Sequence, residues 1–461
     1  MGILSFLLAS ILAIGSLGYE NDDNLIFIGK KWVFLISGSS GWDNYRHQAD
    51  IAHAYQIVKR NGIPDENIIV MMADDVANHT NNPVPGTLIN QPDGVDVYKG
   101  IKIDYSGKDV NSENFLNVLK GHKSAMKGKG SERVIESRKH DHVFVNFVDH
   151  GSNGILGFPD TFLYADDLIM TLKEMHAKRR YRKMVLFIEA CNAGSMFDGL
   201  IDDDTKIIAV TASGPRECSY ACYCDESEYH TCLGDLFNVK WMENLDQTIF
   251  DVSTKSKTIL RDFEEIRTNV TNSNVMVYGD FHVGFEKLSK FIGYNVQRNS
   301  QGVINYVHHH PIKAGSLISN RNIPEIILNR KLANSKNIQE IKSLMQKINH
   351  RNQMKQVIDA IFFKMYNRIV EALPALSFKI GTIETPAPLK LSIDVFPCYK
   401  NIINTISSNC FSLAKNPYVL KKLKILSNMC VVDSNIDKII VVIINDVCSI
   451  TNIPNGLENI Q

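Results

Sequence analysis

The 461-residue chain has no apolar stretch of 18 or more residues, so the sequence holds no segment that would cross a bilayer as a helix, and no membrane anchor is expected. Ile439 to Ile444 is strongly hydrophobic, but Asp446 soon closes it, and it reads as core. Charge of one sign is also missing: 50 Lys+Arg meet 50 Asp+Glu, so no global field favours nucleic acid or an anionic membrane. There is no C-x-x-C for thiol-oxidoreductase chemistry, the nearest pattern being the weaker Cys222-Tyr223-Cys224. No internal repeat is present. The run His308-His309-His310 lacks carboxylates or spaced partners and reads as exposed linker, so neither a metal nor a cofactor is expected. Disorder is excluded as the main state, because 44% hydrophobic and 9% aromatic residues are ordinary globular values.

The neutral total hides a split. Residues 321–461 carry 18 Lys+Arg against 10 Asp+Glu, leaving 32 against 40 in the first 320, so an acidic body bears a basic tail. At the N-terminus, Ile3 to Leu12 is a short apolar run followed by Gly15, Ser16 and Gly18, then polar Glu20-Asn21-Asp22-Asp23. This reads as a signal peptide over 1–18, although no Lys or Arg precedes the run. Sequons at Asn78 and Asn269 fit that secretory route as glycosylation acceptors. Nine cysteines, an odd number, imply one free thiol in an oxidising compartment. Cys398, Cys410, Cys430 and Cys448 stand alone in the tail, where four cysteines allow three pairings.

Periodicity places a strand at Lys31 to Ser37, a helix at His47 to Arg60 and a strand at Asn67 to Met72, a β-α-β unit that implies a parallel sheet. A Pro-, Gly- and Asp-rich loop (Pro83 to Gly107) leads to a helix at Asn114 to Met126. Apolar strands follow at Val143 to Val148, Lys183 to Glu189 and Ile207 to Thr211, with a helix at Leu168 to Ala177 and a late strand at Val275 to Gly279. The pattern predicts a three-layer α/β/α body to about residue 290, a poorly periodic linker from Tyr294 to Asn322, and a mostly helical, cysteine-stapled remainder.

Two of the apolar strands stop at a chemically competent residue followed closely by glycine: Asp149-His150-Gly151-Ser152 and Ala190-Cys191-Asn192-Ala193-Gly194. Ligands bind outside the carboxyl ends of strands in an open parallel sheet. A thiolate attacks a carbonyl best when an imidazole manages its proton, so His150 and Cys191 form a candidate nucleophilic dyad. Gly151 lets a backbone N–H approach a developing oxyanion, with the Cys191 N–H as second donor. On spacing alone the plainer reading, a core cysteine and a capped strand-end histidine, is the commoner one.

Through Gly41-Trp42-Asp43-Asn44-Tyr45-Arg46-His47-Gln48-Ala49-Asp50, Asn61-Gly62-Ile63-Pro64-Asp65-Glu66, Asp149-His150-Gly151-Ser152 and Phe187-Ile188-Glu189-Ala190-Cys191, the chain closely resembles the legumain family of asparaginyl endopeptidases. Pro215-Arg216-Glu217, Ser219-Tyr220-Ala221-Cys222, Leu233-Gly234-Asp235, Ile327 to Asn334 and the four-cysteine tail extend the resemblance over nearly the whole chain. It implies a caspase-like three-layer α/β/α sandwich (19–290) with a mostly parallel sheet, a linker or activation segment (291–322), and an all-α, disulfide-stapled C-terminal prodomain (323–461). It also implies cleavage of protein and peptide substrates after asparagine, and less readily after aspartate at acid pH.

In that reading Cys191 is the nucleophile, His150 the acid/base and Asn44 the residue that orients the histidine. The specificity pocket maps onto Arg46, His47, Glu189, Ser219 and Asp235. An asparagine side chain needs one donor and nearby acceptors, so Arg46 is expected on its carbonyl and Glu189 and Asp235 on its NH₂. Asp149 matches a position that the family converts to a succinimide, associated with peptide ligation. The prodomain is expected to act as an intramolecular inhibitor released by acid-triggered self-cleavage after Asn320 or Asn322; Asn329 and Asn334 should lie within a helix. Cystatin-type inhibitors and a lysosome-like or extracellular site complete what the resemblance implies. Departures are Asn192-Ala193, where the family commonly has Glu-Ser, and the extra cysteines Cys218, Cys224 and Cys232, of which a Cys224–Cys232 disulfide would stiffen the pocket loop.

Three other readings compete. A lipid-anchor transamidase of the same clan would bring a C-terminal membrane segment. A silent binding protein on this fold would have lost Cys191, His150 or the pocket. A caspase or metacaspase would be cytosolic and lack the signal segment and extra cysteines.

Overall fold

The structure, a computed structural model, describes residues 29–225, 228–247, 257–294 and 310–451, so the expected signal peptide and His308-His309 lie outside the described residues. Among the described residues no helix is long and apolar enough to cross a membrane.

The body is built on β1 (Lys31–Ser37), β2 (Ile68–Met71), β3 (His142–Val148), a small antiparallel sheet of β4 (Gly151–Ser152), β5 (Ile155–Gly157) and β6 (Phe162–Tyr164), then β7 (Lys183–Glu189), β8 (Ile207–Thr211), β9 (Tyr220–Cys222), β10 (Gly234–Asp235), β11 (Met276–Gly279) and β12 (Ile318–Ser319). The main sheet runs β11-β8-β7-β3-β1-β2, with every pairing parallel except β11 against β8. Its helices are α1 (Tyr45–Arg60), α2 (Ser112–Leu119), α3 (Ala165–Ala177), α4 (Leu236–Gln247), α5 (Ile259–Asn269) and α6 (Ser289–Ile292).

Alternation along the strands divides the core. Phe34, Val145, Phe147, Leu186 and Ile188 bury on one face with α2 and α3, while Leu35, Phe144, Val185, Phe187 and Val210 bury on the other with α1, α4 and α5. The expected three-layer body is therefore present. The helix expected over Asn114 to Met126 is shorter than expected. It stops at Leu119 because Gly121 takes φ 75° against Ile135 and Arg180, and a separate 3-10 turn covers Lys123–Met126.

Register positions the strand ends. Ser37 pairs with Val148, and Val148 with Glu189, so β1, β3 and β7 finish level with one another. His150 and Cys191 each follow two residues beyond a paired position, and the Asp149 N–H to Glu189 carbonyl bond of 3.0 Å continues the ladder one step further.

The remainder is helical: α7 (Ile323–Asn334), the 35-residue α8 (Ile338–Ala372), α9 (Pro374–Ile380), α10 (Phe396–Asn409), α11 (Leu423–Val432) and α12 (Asp437–Ile450). Disulfides Cys398–Cys430 and Cys410–Cys448 tie α10 to α11 and to α12, one of the three arrangements open to the four tail cysteines. This helical unit docks on the body through an apolar seam and through charge. Leu391 and Phe396 press on Gly154, and Tyr399 meets Tyr164 edge-on. Lys390 pairs with Asp198, Lys400 with Asp166 and Asp167, and Lys415 with Asp160. In each pair the tail supplies the base and the body the acid, which gives the charge split a structural counterpart. Buried Ser152 Oγ donates to the Leu420 carbonyl at 2.6 Å, and Asn153 to Ser427 Oγ at 2.8 Å.

Gly154 has φ 69°, and an added Cβ would lie 2.5 Å from Leu391 Cδ1 and 3.0 Å from the Phe396 ring. Gly154→Ala should weaken docking by about 1–3 kcal/mol through overpacking and strain. Limited proteolysis of residues 391–420 at neutral pH checks this, and an unchanged digestion rate would count against it.

Candidate active site

The segment leading into α1 fixes one wall. Gly41 takes φ 86° and donates its N–H to Asp75 at 2.7 Å. Trp42 stacks on His79 and donates to the Tyr229 carbonyl at 3.1 Å. Asn44, buried behind it, donates from Nδ2 to the Ser40 carbonyl (2.9 Å) and so turns Oδ1 toward His150 Nε2, 2.8 Å away. A carboxamide oxygen only accepts, so the ring donates from Nε2 and keeps its lone pair on Nδ1.

Beneath His150 lies Asp149. Its Oδ1 accepts the His150 backbone N–H at 2.6 Å, and its Oδ2 fills the space that side chains at Gly38 and Gly157 would occupy. Burial pushes this carboxyl up to about 7, against the lowering effect of the His150 N–H and of Arg46. Burial and the positive charges of Arg46 and Arg321 hold the His150 imidazole down at about 3. His47, beside it, accepts or donates at Nδ1 with Ser39 Oγ (2.5 Å) and is held well below its usual range by burial, Arg46 and His150.

At the end of β7, Cys191 is buried and Asn192 turns the chain through φ 58°. Gly151 backs directly on this turn: a Cβ there would lie 2.3 Å from the Cys191 carbonyl. Burial, and then the neighbouring Cys218, raise the Cys191 thiol well above its ordinary value, against the lowering effect of the Arg321 charge and the Ser219 backbone N–H.

The pocket proper is a buried charge cluster. Arg46, only 1% exposed, donates from Nε to Asp235 Oδ1 at 3.0 Å and from Nη1 to the Asp43 carbonyl at 2.9 Å. Glu189 is fully buried; burial first, then the charge of Asp235, drives its carboxyl well above the usual range, and Ser219 partly relieves it. Asp50, one helical turn beyond Arg46, is raised likewise by burial and by Asp235 despite hydrogen bonds from Asn90 (2.7 Å), Asn238 (3.1 Å) and the Asp235 N–H (3.2 Å).

Residues of the chain itself occupy this pocket. β12 pairs antiparallel with β9, Ile318 opposite Ala221 and Ser319 opposite Tyr220, and the Asn320 N–H continues the ladder to the Ser219 carbonyl at 3.1 Å. Asn320, 1% exposed, donates from Nδ2 to Ser219 Oγ at 2.8 Å, with the Asp235 carboxylate beside it. Its Oδ1 and Arg46 Nη2 have no partner among the described residues. The pattern therefore differs from the one expected for a bound asparagine: Ser219 Oγ takes the amide, and the contact between Arg46 and the asparagine carbonyl is not made. Next in sequence, Arg321 donates to Asn192 Oδ1 (2.5 Å) and the Gly151 carbonyl (3.2 Å).

His150, Asn44, Asp149, Gly151, Arg46, His47, Glu189, Cys191, Ser219, Asp235 and Asn320 thus converge on one region. Asn322 does not; it is exposed at the N-cap of α7, and Asn329 and Asn334 lie in that helix. Asn78 and Asn269 are exposed and remote. The Cys224–Cys232 disulfide closes the turn between β9 and β10 that holds Asp235. Sequence reasoning missed Asp50, Ser39 and Asn192. Asp50 was discoverable from its four-residue spacing to Arg46 on one helix; the others depend on contacts between distant segments.

The model of the Peptidase C13 family matches residues 31–297. Legumain of Mus musculus is 39% identical over 440 residues, covering 95% of this chain and 96% of its own. Legumain of Homo sapiens is 39% identical over 426 residues (92% and 93%), and the vacuolar-processing enzyme beta-isozyme of Arabidopsis thaliana 36% over 424 (87% and 83%). Caspase-1 from Spodoptera frugiperda matches 57% of this chain and 92% of its own at 12% identity and TM-score 0.32, a likeness too slight to bear on the argument.

A Cβ at Gly38 would lie 2.6 Å from Asp149 Oδ2 and 2.7 Å from the Gly157 carbonyl. Gly38→Ala should cost about 1–3 kcal/mol of stability, whereas Gly315→Ala, with nothing within 4 Å, should be near neutral. Paired thermal melts decide it; equal Tm values would refute the close packing of Asp149.

Proposed function

The chain belongs to the peptidase C13 family and is a legumain-type cysteine endopeptidase, and from that premise we propose that it hydrolyses peptide bonds after asparagine and is held inactive by its own residues 318–322 and the helical tail behind them. The observation that carries this reading is Asn320: an asparagine amide seated on Ser219 Oγ beside Asp235, at the end of a strand paired to β9 as an extended substrate would be.

Residue roles follow from that placement. A substrate asparagine enters where Asn320 lies. Cys191 sulfur attacks its carbonyl carbon, and the oxyanion meets the N–H groups of Gly151 and Cys191. His150, oriented by Asn44, passes the thiol proton to the leaving amine, and water then cleaves the thioester. Arg46, Asp50, Glu189, Ser219 and Asp235 read the side chain, with His47 packed beside them. An aspartate in its place adds a carboxyl to a desolvated acidic pocket and is accepted only when protonated. Displacement of the thioester by a peptide amine in place of water gives ligation as a side activity. The His150 nitrogen held against the Asp149 carboxyl supports succinimide closure, in which an N–Cγ bond forms and water leaves.

Acid favours opening, and the sign comes from His150. Its closed-state value of about 3 lies below the ordinary histidine range, so the open form binds the extra proton as pH falls through that range. The closed form then loses up to about 1.4 kcal/mol per pH unit for that one group. Asp149 and Asp235 act in the opposite direction, since burial, the largest cause, raises both carboxyls in the closed form. Asp166 opposes in part, because burial raises its carboxyl in the closed form even beside Lys400. Such behaviour suits an acidic compartment of the secretory route, and an emptied pocket is where a cystatin-type inhibitor would insert an asparagine.

Full-length protein brought to about pH 4.5 should cut itself after Asn320. Mass spectrometry should find this cut abolished in Asn320→Gln and in Cys191→Ala but retained in Asn322→Gln. A matured sample should cleave Ala-Ala-Asn reporters at least about tenfold faster than Ala-Ala-Asp and should spare Ala-Ala-Lys. Equal turnover of all three would remove the asparagine reading. In Cys191→Ala, hydrogen exchange at residues 318–322 should rise as pH falls below about 6.5; exchange that does not depend on pH would remove the acid trigger.

A further inference from the structure

Three disulfides use six of the nine cysteines, leaving Cys191, Cys218 and Cys222 as thiols. Cys222 is buried apart, donating to the Gly234 carbonyl at 3.5 Å. The other two face each other. The Asn192 N–H bonds the Glu217 carbonyl at 2.7 Å and Asn192 Nδ2 bonds the Pro215 carbonyl at 3.0 Å, which locks the turn after β7 to the segment carrying Cys218. Across that join Cys191 and Cys218 lie close enough for each thiol to act on the other's proton, with the Ser219 N–H beside Cys191 and the Ser319 hydroxyl beside Cys218. We propose that Cys191 and Cys218 form a reversible disulfide in the activated enzyme, a redox lock in which hydrogen peroxide switches the nucleophile off and a thiol restores it.

The pair is chemically matched. Burial first, and then Cys218, raises the Cys191 thiol, while Cys191 in turn lowers that of Cys218 to about 7, so a thiolate is available at one sulfur while the other stays a thiol. A thiolate attacks peroxide: an S–O bond forms, the O–O bond breaks, and the departing hydroxide takes up a proton. The partner thiol then attacks that sulfenic sulfur; an S–S bond forms and a second water leaves with the thiol proton. Two sulfurs lose two electrons and the two peroxide oxygens gain them. Proximity makes this second step faster than further oxidation to sulfinic acid, so the lock also protects Cys191. In the closed form the Ser319 hydroxyl lies beside Cys218 and the Arg321 charge acts on both sulfurs, which assigns the switch to the enzyme after residues 318–321 leave the cleft.

The effect on activity rests on Cys191 being the nucleophile; the bond itself does not. Activated wild type and Cys218→Ser would be treated with hydrogen peroxide, alkylated, mapped without reduction by mass spectrometry, and assayed before and after dithiothreitol, each relative to its own starting activity. The expected result is a Cys191–Cys218 linked peptide in wild type and recovery at least about tenfold greater than in Cys218→Ser, where Cys191 proceeds to sulfinic acid. Absence of the linked peptide in oxidised wild type, a measurement that needs no variant, would overturn the proposal, as would equal recovery by both proteins. A linked peptide with undiminished activity would support the bond and strike instead at the catalytic role of Cys191.

Discussion

Arg46 is the constraint around which the site is arranged. A guanidinium keeps its charge in any surroundings, and here it is buried to 1% exposure, where an unpaired charge would be prohibitive. Asp235 supplies the countercharge at 3.0 Å. Asp50 and Glu189 share the same dry volume, and burial together with the Asp235 charge drives both carboxyls well above the usual range. The result is a cavity rich in donors and acceptors with little net charge. A neutral carboxamide suits it, and a carboxylate does not.

That cluster also explains why the fold around it tolerates so little slack. Arg46 and Asp50 ride on α1, Glu189 ends β7, Ser219 precedes β9 and Asp235 ends β10. Four separate pieces of chain must agree to within hydrogen-bonding tolerance. The level ends of β1, β3 and β7, the tight turn at Gly41 and the disulfide at the β9–β10 turn are the devices that enforce the agreement.

Much of this was readable from residues. β7 was located because Met184–Ile188 is an unbroken apolar run between the charged residues Lys183 and Glu189, and His150 and Cys191 stand out as reactive groups at the ends of such strands. The pocket set was not readable by spacing; it came from family resemblance, since Arg46 and Asp235 are 189 residues apart and nothing local couples them. The antiparallel sense of β11, the short α2, the pairing of the tail cysteines and the contact between Cys191 and Cys218 were hidden for the same reason: each depends on where distant backbone lies. The NH₂ of Asn320 resting on Ser219, with its carbonyl not on Arg46, is a matter of side-chain placement, below anything a pattern of residue types encodes.

The antiparallel seat of β12 on β9 has a consequence for what a cut would achieve. Asn320 belongs, in chain order, to the body and not to the helices that follow it. Cleavage on its carboxyl side would free the tail yet leave Ile318, Ser319 and Asn320 covalently joined to the catalytic unit, as the tethered product of its own reaction. A tethered strand re-enters at a millimolar effective concentration that dilution cannot reduce. Full turnover would then wait on trimming of that stub, and the speed of maturation would be set by an event after the scissile bond is already broken.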